Sequence, residues 1–132
     1  IAEKGKVADL AALKGKRVGM QNGSTHQKYL MEKHPEITAV PYDSYQNAIL
    51  DLKNGRLDAV FGDTAVVNEW LKQNNQLAAV GDKVTDADYF GTGLGIAVRQ
   101  NNTELQGKLD AALAKVKADG TYQTIYKKWF QQ

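Results

Sequence analysis

The chain has no cysteine in its 132 residues, which excludes disulfides, thiol nucleophiles and cysteine-ligated metals. No apolar run approaches the ~20 residues that a membrane-spanning helix requires. Neither sign of charge dominates, because 17 basic and 15 acidic residues leave a formal net charge of +2. This excess is too small to indicate nucleic-acid or membrane binding. The remaining composition, 42% hydrophobic and 24% charged, is typical of a globular chain with its own core.

Motifs for catalysis and for cofactors are missing as well. His26 and His34 lie eight residues apart, which is not a metal-binding spacing. The glycines of 91–95 precede a strand-like segment, whereas those of a dinucleotide fingerprint follow a strand. His26 beside Ser24 could serve as a general base, but no orienting acid is near in sequence. We therefore interpret His26 as a surface or ligand-contact residue, and expect no enzyme activity, no metal and no cofactor.

Strand and helix periods alternate along the first two thirds of the chain. This βαβαβαβ order predicts an α/β fold with a parallel sheet and right-handed crossovers. Pro35 is expected to end the first long helix, because the residue before a proline is pushed out of helical geometry. The predicted strands are Arg17–Met20, Ile37–Tyr42, Leu57–Phe61 and Leu77–Val80; the predicted helices are Val7–Leu13, Thr25 to about His34, one capped by Asp43 or Ser44 that closes at Gly55, and Thr64 to about Gln73.

The pattern changes after Asp88. The segment 89–99 is punctuated by glycines and becomes strand-like from Leu94 to Arg99. Glycines at alternate positions permit bending, as a hinge crossing requires. Two helices are predicted next, Thr103–Ala118 and one from Thr121, whose apolar residues recur at helical spacing and are most simply core stripes.

The first candidate site lies where the strand Arg17–Met20 turns into a helix. Ser24 can cap that helix, and Gln27, three residues on, can complete a capping box. Such a turn aims unpaired backbone N–H groups and the positive end of the helix dipole at one point. A small carboxylate would suit this position, although an ordinary well-capped turn has the same sequence.

The second candidate site is Asp63, which follows the predicted strand Leu57–Phe61 and precedes the next helix. An acid in this position is often only a helix cap. In open α/β sheets, however, ligands bind in the crevice at the carboxyl ends of the strands. N–H donors for a carboxylate beside an aspartate for an ammonium group are what a zwitterionic amino acid requires.

Four pieces of the sequence carry a resemblance to a family: LKGKRVGMQNGSTHQKY, YDSYQNAILDLKNGRLDAVFGDTAVVNEWL, YFGTGLGIAVR and LAKVKADGTYQTIYKKWF. Together they resemble the polar amino-acid-binding proteins of bacterial ABC importers, and among these the periplasmic arginine-binding proteins. The resemblance extends over essentially all 132 residues. It implies the type II periplasmic-binding-protein fold, in which two α/β lobes are joined by crossing strands. Residues 1–88 correspond to the second lobe, and residues 89–132 to the returning strand and to two C-terminal helices of the first lobe.

The resemblance also implies roles for individual residues. Ser24 and Thr25 match a serine–threonine pair that contacts the α-carboxylate of the ligand, and Asp63 matches the aspartate that takes the α-ammonium. His26 departs from a glutamine of several relatives, and Gln21 replaces an apolar contact. Both lie near the expected path of the ligand side chain, so they bear on selectivity. The arginine, aromatic residues and acid of the first lobe have no counterpart here.

The implied function is non-catalytic capture of a basic amino acid in the periplasm for an ABC permease. Arginine is the first expectation, followed by lysine, ornithine or histidine. Two alternatives remain open: an amino-acid-sensing domain of a receptor or regulator, and a dehydratase-like enzyme, which would need a general acid besides Asp63. A homodimer through the C-terminal segment is also expected, because its helices would lack the sheet that covers them in the family.

Overall fold

The computed structural model of the chain describes residues 1–130, which fall into two compact units. The first unit is Ile1–Thr92 and the second begins at Gly93. In the part of the chain that is described, no helix is long and apolar enough to cross a membrane. The elements are the strands β1 (Ala2–Glu3), β2 (Arg17–Gln21), β3 (Thr38–Tyr42), β4 (Ala59–Val60) and β5 (Leu77–Ala78), and the helices α1 (Thr25–Lys33), α2 (Tyr45–Lys53), α3 (Thr64–Gln73), α4 (Ala87–Phe90), α5 (Thr103–Ala118) and α6 (Thr121–Phe130).

A three-stranded parallel sheet, in the order β3-β2-β4, forms the centre of the first unit. This confirms the predicted α/β class. Neighbouring residues of β4 belong to different core clusters: Ala59 packs with Val18 and Leu30, whereas Val60 packs with Ile49 and Leu52. Because side chains alternate along a strand, the sheet separates two apolar layers, with α1 in one layer and α2 in the other.

The three long helices of this unit begin and end close to the predicted positions. Ser44, rather than Asp43, caps α2, because its hydroxyl accepts a hydrogen bond from the Asn47 N–H at 3.4 Å. Helix α1 ends at Lys33, two residues before Pro35, as the restriction on residues that precede proline predicts. Capping and proline punctuation therefore define these helices locally.

The prediction that Leu77–Val80 joins the parallel sheet is wrong. Only Leu77–Ala78 is extended, and it pairs antiparallel with Ala2–Glu3 in a separate two-stranded sheet. The edge of β4 is occupied instead by Ile1, which exchanges two backbone hydrogen bonds of 2.8 Å with Val60. The first residues of the chain therefore lie between β4 and β5, a pairing that no local pattern signals.

Two further elements are shorter than predicted. The helix expected over Val7–Leu13 is a single 3₁₀ turn at Ala11–Leu13, because the Asp9 carboxylate accepts the Ala12 N–H at 2.9 Å and the turn starts after it. The strand expected over Leu57–Phe61 is regular only at Ala59–Val60.

The second unit consists of α5 and α6 with the segment that precedes them. Asn102 caps α5 by accepting the Leu105 N–H at 3.2 Å, and α5 has the predicted bounds Thr103–Ala118. The strand expected over Leu94–Arg99 is wrong, since those described residues form no regular structure. A strand needs a partner for its backbone groups, and none is paired with this segment in the described chain.

The expected core stripes of α5 and α6 are also not buried. Leu105 and Leu113 on α5 are 42% and 40% exposed, and Ile125 on α6 is 54% exposed. The helices form where the spacing predicts them, but burial depends on a covering surface that the spacing does not specify.

Candidate ligand-binding site

The carboxyl ends of β2 and β4 bring the predicted site residues to one edge of the parallel sheet. The two strands are direct neighbours, with Gly19 opposite Val60. Strand β2 ends at Gln21 shortly before α1, and β4 ends shortly before Asp63, the N-cap of α3. Two helix N-termini therefore open at the same edge, which is the position at which open α/β sheets bind ligands.

The turn before α1 is held by the side chains of Ser24 and Gln27. The Ser24 hydroxyl donates to the Gln21 carbonyl at 2.6 Å and accepts from the Gln27 N–H at 3.3 Å. Gln27 Oε1 accepts the N–H of Gly23 at 2.8 Å, whereas a standard capping box would return to the N–H of Ser24. The predicted box is thus present with its return bond shifted by one residue.

This turn leaves two backbone donors available at the start of α1. In the described part of the chain, no hydrogen bond engages the N–H groups of Thr25 and His26. The Thr25 side chain is exposed. Because the positive end of the helix dipole lies at the same place, these donors favour an anion.

Asp63 is the N-cap residue of α3, but its side chain makes no capping hydrogen bond within the described chain. The carboxylate side chain is 71% exposed. The interpretation of Asp63 as a simple cap therefore has no geometric basis. Because the carboxylate is exposed, it can accept hydrogen bonds from a ligand.

The side chain of His26 enters the core, so its interpretation as a surface residue is wrong. It is only 10% exposed, and Nε2 lies 3.4 Å from Asp63 Oδ1. The ring packs edge-on against Phe61, with centroids 4.8 Å apart, and against Phe90 at 5.1 Å. Burial lowers the pKa of His26 below the usual 6.5, and the Asp63 charge opposes that shift.

Tyr45, the first residue of α2, is a site neighbour that no sequence motif singled out. Its ring lies 3.3 Å from the point where a Cβ on Gly62 would stand. Burial raises the pKa of Tyr45, the backbone of Gln21 opposes this shift by hydrogen bonding, and the Asp63 charge adds to it. The Tyr45 hydroxyl therefore lies near both Gln21 and Asp63. The signal that could have found it is its position directly after the carboxyl end of β3.

Gln21 ends β2 with an exposed side chain. A cavity of about 330 Å³ opens beside Asp63 and is lined mainly by apolar residues together with His26. No cluster of three or more histidine, cysteine, aspartate or glutamate side chains in the described residues could hold a metal ion.

Two proteins of Escherichia coli (strain K12) are similar to the chain over all 132 residues. ABC transporter arginine-binding protein 1 is 64% identical, and a protein provisionally named ABC transporter arginine-binding protein 2 is 74% identical. Each match includes 100% of this chain and 54% of the relative. The chain thus spans about half the length of the curated relatives it matches.

Solved structures agree in fold. A Salmonella typhimurium periplasmic binding protein, described for its high arginine specificity, has a TM-score of 0.81 and 51% identity, over 98% of this chain and 58% of its own. Domain 2 from TmArgBP has a TM-score of 0.58 and 28% identity, over 64% of this chain and 95% of its own. A family match extends over residues 9–132: the chain belongs to the bacterial extracellular solute-binding proteins, family 3.

Proposed function

We propose that this chain forms one half of a binding site for a basic amino acid, arginine first, in a periplasmic protein that serves an ABC permease. Lysine, ornithine and histidine are the further candidate ligands. The observation that carries the proposal is the Asp63 carboxylate, which is exposed and makes no capping hydrogen bond in the described chain. It lies beside the start of α1, where two backbone N–H groups are available. Both relatives from Escherichia coli bear arginine-binding names, which supports the choice of arginine.

The α-carboxylate of the ligand would lie at the N-terminus of α1. The N–H groups of Thr25 and His26 and the Thr25 hydroxyl would donate to it, and hydrogen bonds to a charged group are the strong ones. Ser24 has one hydroxyl hydrogen, and this hydrogen is already donated to the Gln21 carbonyl. Ser24 therefore contacts the carboxylate as a donor only if it releases that bond, and otherwise it acts by fixing the turn.

The α-ammonium of the ligand would bind the Asp63 carboxylate. Gln21, exposed at the end of β2, would face the path of the ligand side chain and so contribute to selectivity. Every group in this arrangement holds the ligand, and none is placed as a nucleophile. We therefore propose a non-catalytic protein with no cofactor.

The first lobe of the two-lobe fold would complete the proposed site. Residues 1–88 would form the second lobe, and residues 89–132 the returning segment. The match to domain 2 from TmArgBP supports this division, because it covers 95% of that domain with only 64% of this chain. Closing two lobes over a ligand excludes water and strengthens each charged contact.

The proposal is tested with Asp63→Asn in the complete two-lobe protein. Titration calorimetry with arginine should show a loss of about 2–4 kcal/mol, because a desolvated ammonium loses its charged partner. Asp58→Asn is the matched control. Asp58 lies directly before β4, the strand that precedes Asp63, and its carboxylate accepts the Arg17 N–H at 2.8 Å. Arginine affinity should be unchanged in that control. Unchanged affinity in Asp63→Asn, together with a clear fall in melting temperature, would overturn the proposal.

A further inference from the structure

His26 contributes to the edge of the site with its backbone and to the interior with its side chain. Its N–H is one of the two available donors at the start of α1, whereas its ring is buried behind Asp63. With only 10% of its side chain exposed, His26 offers little surface to a ligand at the helix end. Its contact with the Asp63 carboxylate is the feature that the proposed function leaves unexplained.

The ring is held in place by an aromatic cluster, formed by Tyr29, Phe61 and Phe90. Besides the two contacts of His26, Tyr29 packs on Phe90 with centroids 5.3 Å apart and on Phe61 at 6.0 Å. Phe61 follows β4 and Phe90 ends α4. Phe61 and Phe90 pack against the ring and leave the imidazole little freedom, and Nε2 lies 3.4 Å from Asp63 Oδ1.

We propose that His26 is a positioning residue, which holds the Asp63 carboxylate toward the ligand and makes amino-acid capture weaken in acid. The inference rests on the proposed function of Asp63 as the partner of the α-ammonium. A neutral imidazole orients the carboxylate and leaves its charge available to the ligand. A protonated imidazole would instead compete with the ammonium for the carboxylate and would repel a cationic ligand.

The electrostatics around the ring give the sign of this pH dependence. Burial favours neutral His26, and Asp63 is the charged group that opposes this preference. A cationic ligand on Asp63 cancels the opposing charge, so the pKa of His26 falls further when the ligand binds. Since the free protein then binds more protons than the complex, affinity decreases as the pH falls to the lowered pKa of His26 and below it.

Other ionisable groups around the ring do not reverse this sign. Tyr29, on the same helix, has a pKa raised by its own burial, so it stays neutral throughout this range. Asp82 and Lys83 line the same cavity with opposite charges, and Ile1 lines it as well. The Ile1 amino group donates to the Val60 carbonyl at 2.8 Å, and burial lowers its pKa to about 6, so it gains positive charge over the same range and does not reverse the sign. On the side of α4, Tyr89 is engaged with Glu32.

The first test uses the 132-residue chain without ligand. Proton–nitrogen NMR follows both imidazoles through a pH titration, with His34 as the internal reference because its partner is Glu36, at 3.1 Å. Asp63→Asn should lower the pKa of His26 and leave the titration of His34 unchanged. An unchanged titration of His26 would show that the two side chains are not coupled, and would overturn the inference.

The second test measures arginine affinity between pH 7.5 and pH 5 in the two-lobe protein. We expect the affinity to fall several-fold over this range, because the proton that His26 takes up in acid has to leave when the cationic ligand binds. His26→Gln should reduce this fall to about twofold or less, whereas the control His34→Gln should retain it. A fall of the same size in His26→Gln would overturn the inference. Absence of binding at pH 7.5 would count against the proposed function, and the NMR test would still decide whether His26 and Asp63 are coupled. The NMR test also decides this coupling if His26→Gln does not fold.

Discussion

Gly19 in β2 lies directly against the side chain of Leu57: a Cβ on Gly19 would stand 2.6 Å from Cδ1 of Leu57 and 3.2 Å from Cε2 of Tyr42. Leu57 is only 4% exposed, so it has little space into which to move. The absence of a side chain at Gly19 therefore allows the layer that contains α2 to close on the sheet.

Gly19→Ala should destabilise the chain by about 1–3 kcal/mol, because extra volume in a filled core forces its neighbours to shift. Urea denaturation followed by tryptophan fluorescence measures the change. Gly95→Ala is the control, since a Cβ on Gly95 would meet nothing within 4 Å. Equal stability of the two variants would show that the Leu57 side chain adapts without cost.

Ser24 and Asp63 should differ in what they contribute to stability, although both are N-cap residues. Ser24→Ala should cost about 1 kcal/mol, since its hydroxyl satisfies an orphan N–H of α1. Ser44→Ala, with the same cap geometry on α2, should cost a similar amount. Asp63→Asn should stay within about 0.5 kcal/mol of the unmodified chain. Chemical denaturation decides, and a loss in Asp63→Asn as large as in Ser24→Ala would contradict the site assignment.

The 132-residue chain alone should bind arginine only weakly. Asp63 and Thr25 are exposed, and an exposed ion pair contributes at most about 1 kcal/mol. We expect a Kd no better than about 1 mM, equivalent to about −4 kcal/mol. NMR titration of the backbone amides of Thr25 and His26 measures it. Micromolar binding by a monomer would contradict the assignment of the chain to half of a site.

Tyr42 should make the chain less stable at high pH. Burial and the hydrogen bond that its hydroxyl donates to Asp51 at 2.7 Å raise its pKa to about 12. Because the folded pKa exceeds the usual 10, the native state retains a proton that the unfolded state loses. The stabilisation is complete below pH 10 and is lost as the pH rises toward 12.

Denaturation at several pH values between 9 and 11.5 measures this slope. Tyr42→Phe should have a flatter slope, whereas Tyr122→Phe, on the exposed surface of α6, should retain the original one. Identical slopes in all three proteins would show that Tyr42 ionises as freely in the fold as in the unfolded chain.

Self-association through the C-terminal segment stays a prediction. Leu94 and Ile96 are 91% and 72% exposed. The apolar residues of α5 and α6 noted above are also exposed. Burying such a side chain contributes about 1.5–3 kcal/mol, which favours a dimer. Light scattering on a sizing column at tens of micromolar should give twice the mass of 14.5 kDa, and Ile125→Lys should shift the equilibrium toward monomer. A monomeric unmodified chain would contradict the prediction.

The predicted strand Leu94–Arg99 does not form, and this changes which surface we expect to drive self-association. An open strand edge can recruit a second copy, but the segment is irregular in the described chain. The apolar helix faces therefore remain as the driving surface, with the glycines of 91–95 as the hinge. Pairing of strands between copies would require this segment to become ordered first.

Local chemistry accounts for what the sequence alone determined. The hydroxyls of Ser24 and Ser44 cap their helices as their types predict, and Pro35 limits α1. Strand and helix periods were enough to predict a parallel α/β unit and to place Asp63 at the end of a buried strand. These features depend on contacts within a few residues, so pattern and propensity specify them.

Tertiary structure decided the features that depend on distant partners. Ile1 occupies the edge of β4, and so diverts Leu77–Ala78 into a different sheet. The same applies to His26, whose burial requires Phe61 and Phe90 from remote parts of the chain. A sequence pattern specifies which face of an element is apolar, but only the assembled fold determines which surface covers it. For that reason the sequence was enough to predict Asp63 as a site residue, whereas only the structure placed the His26 side chain against it.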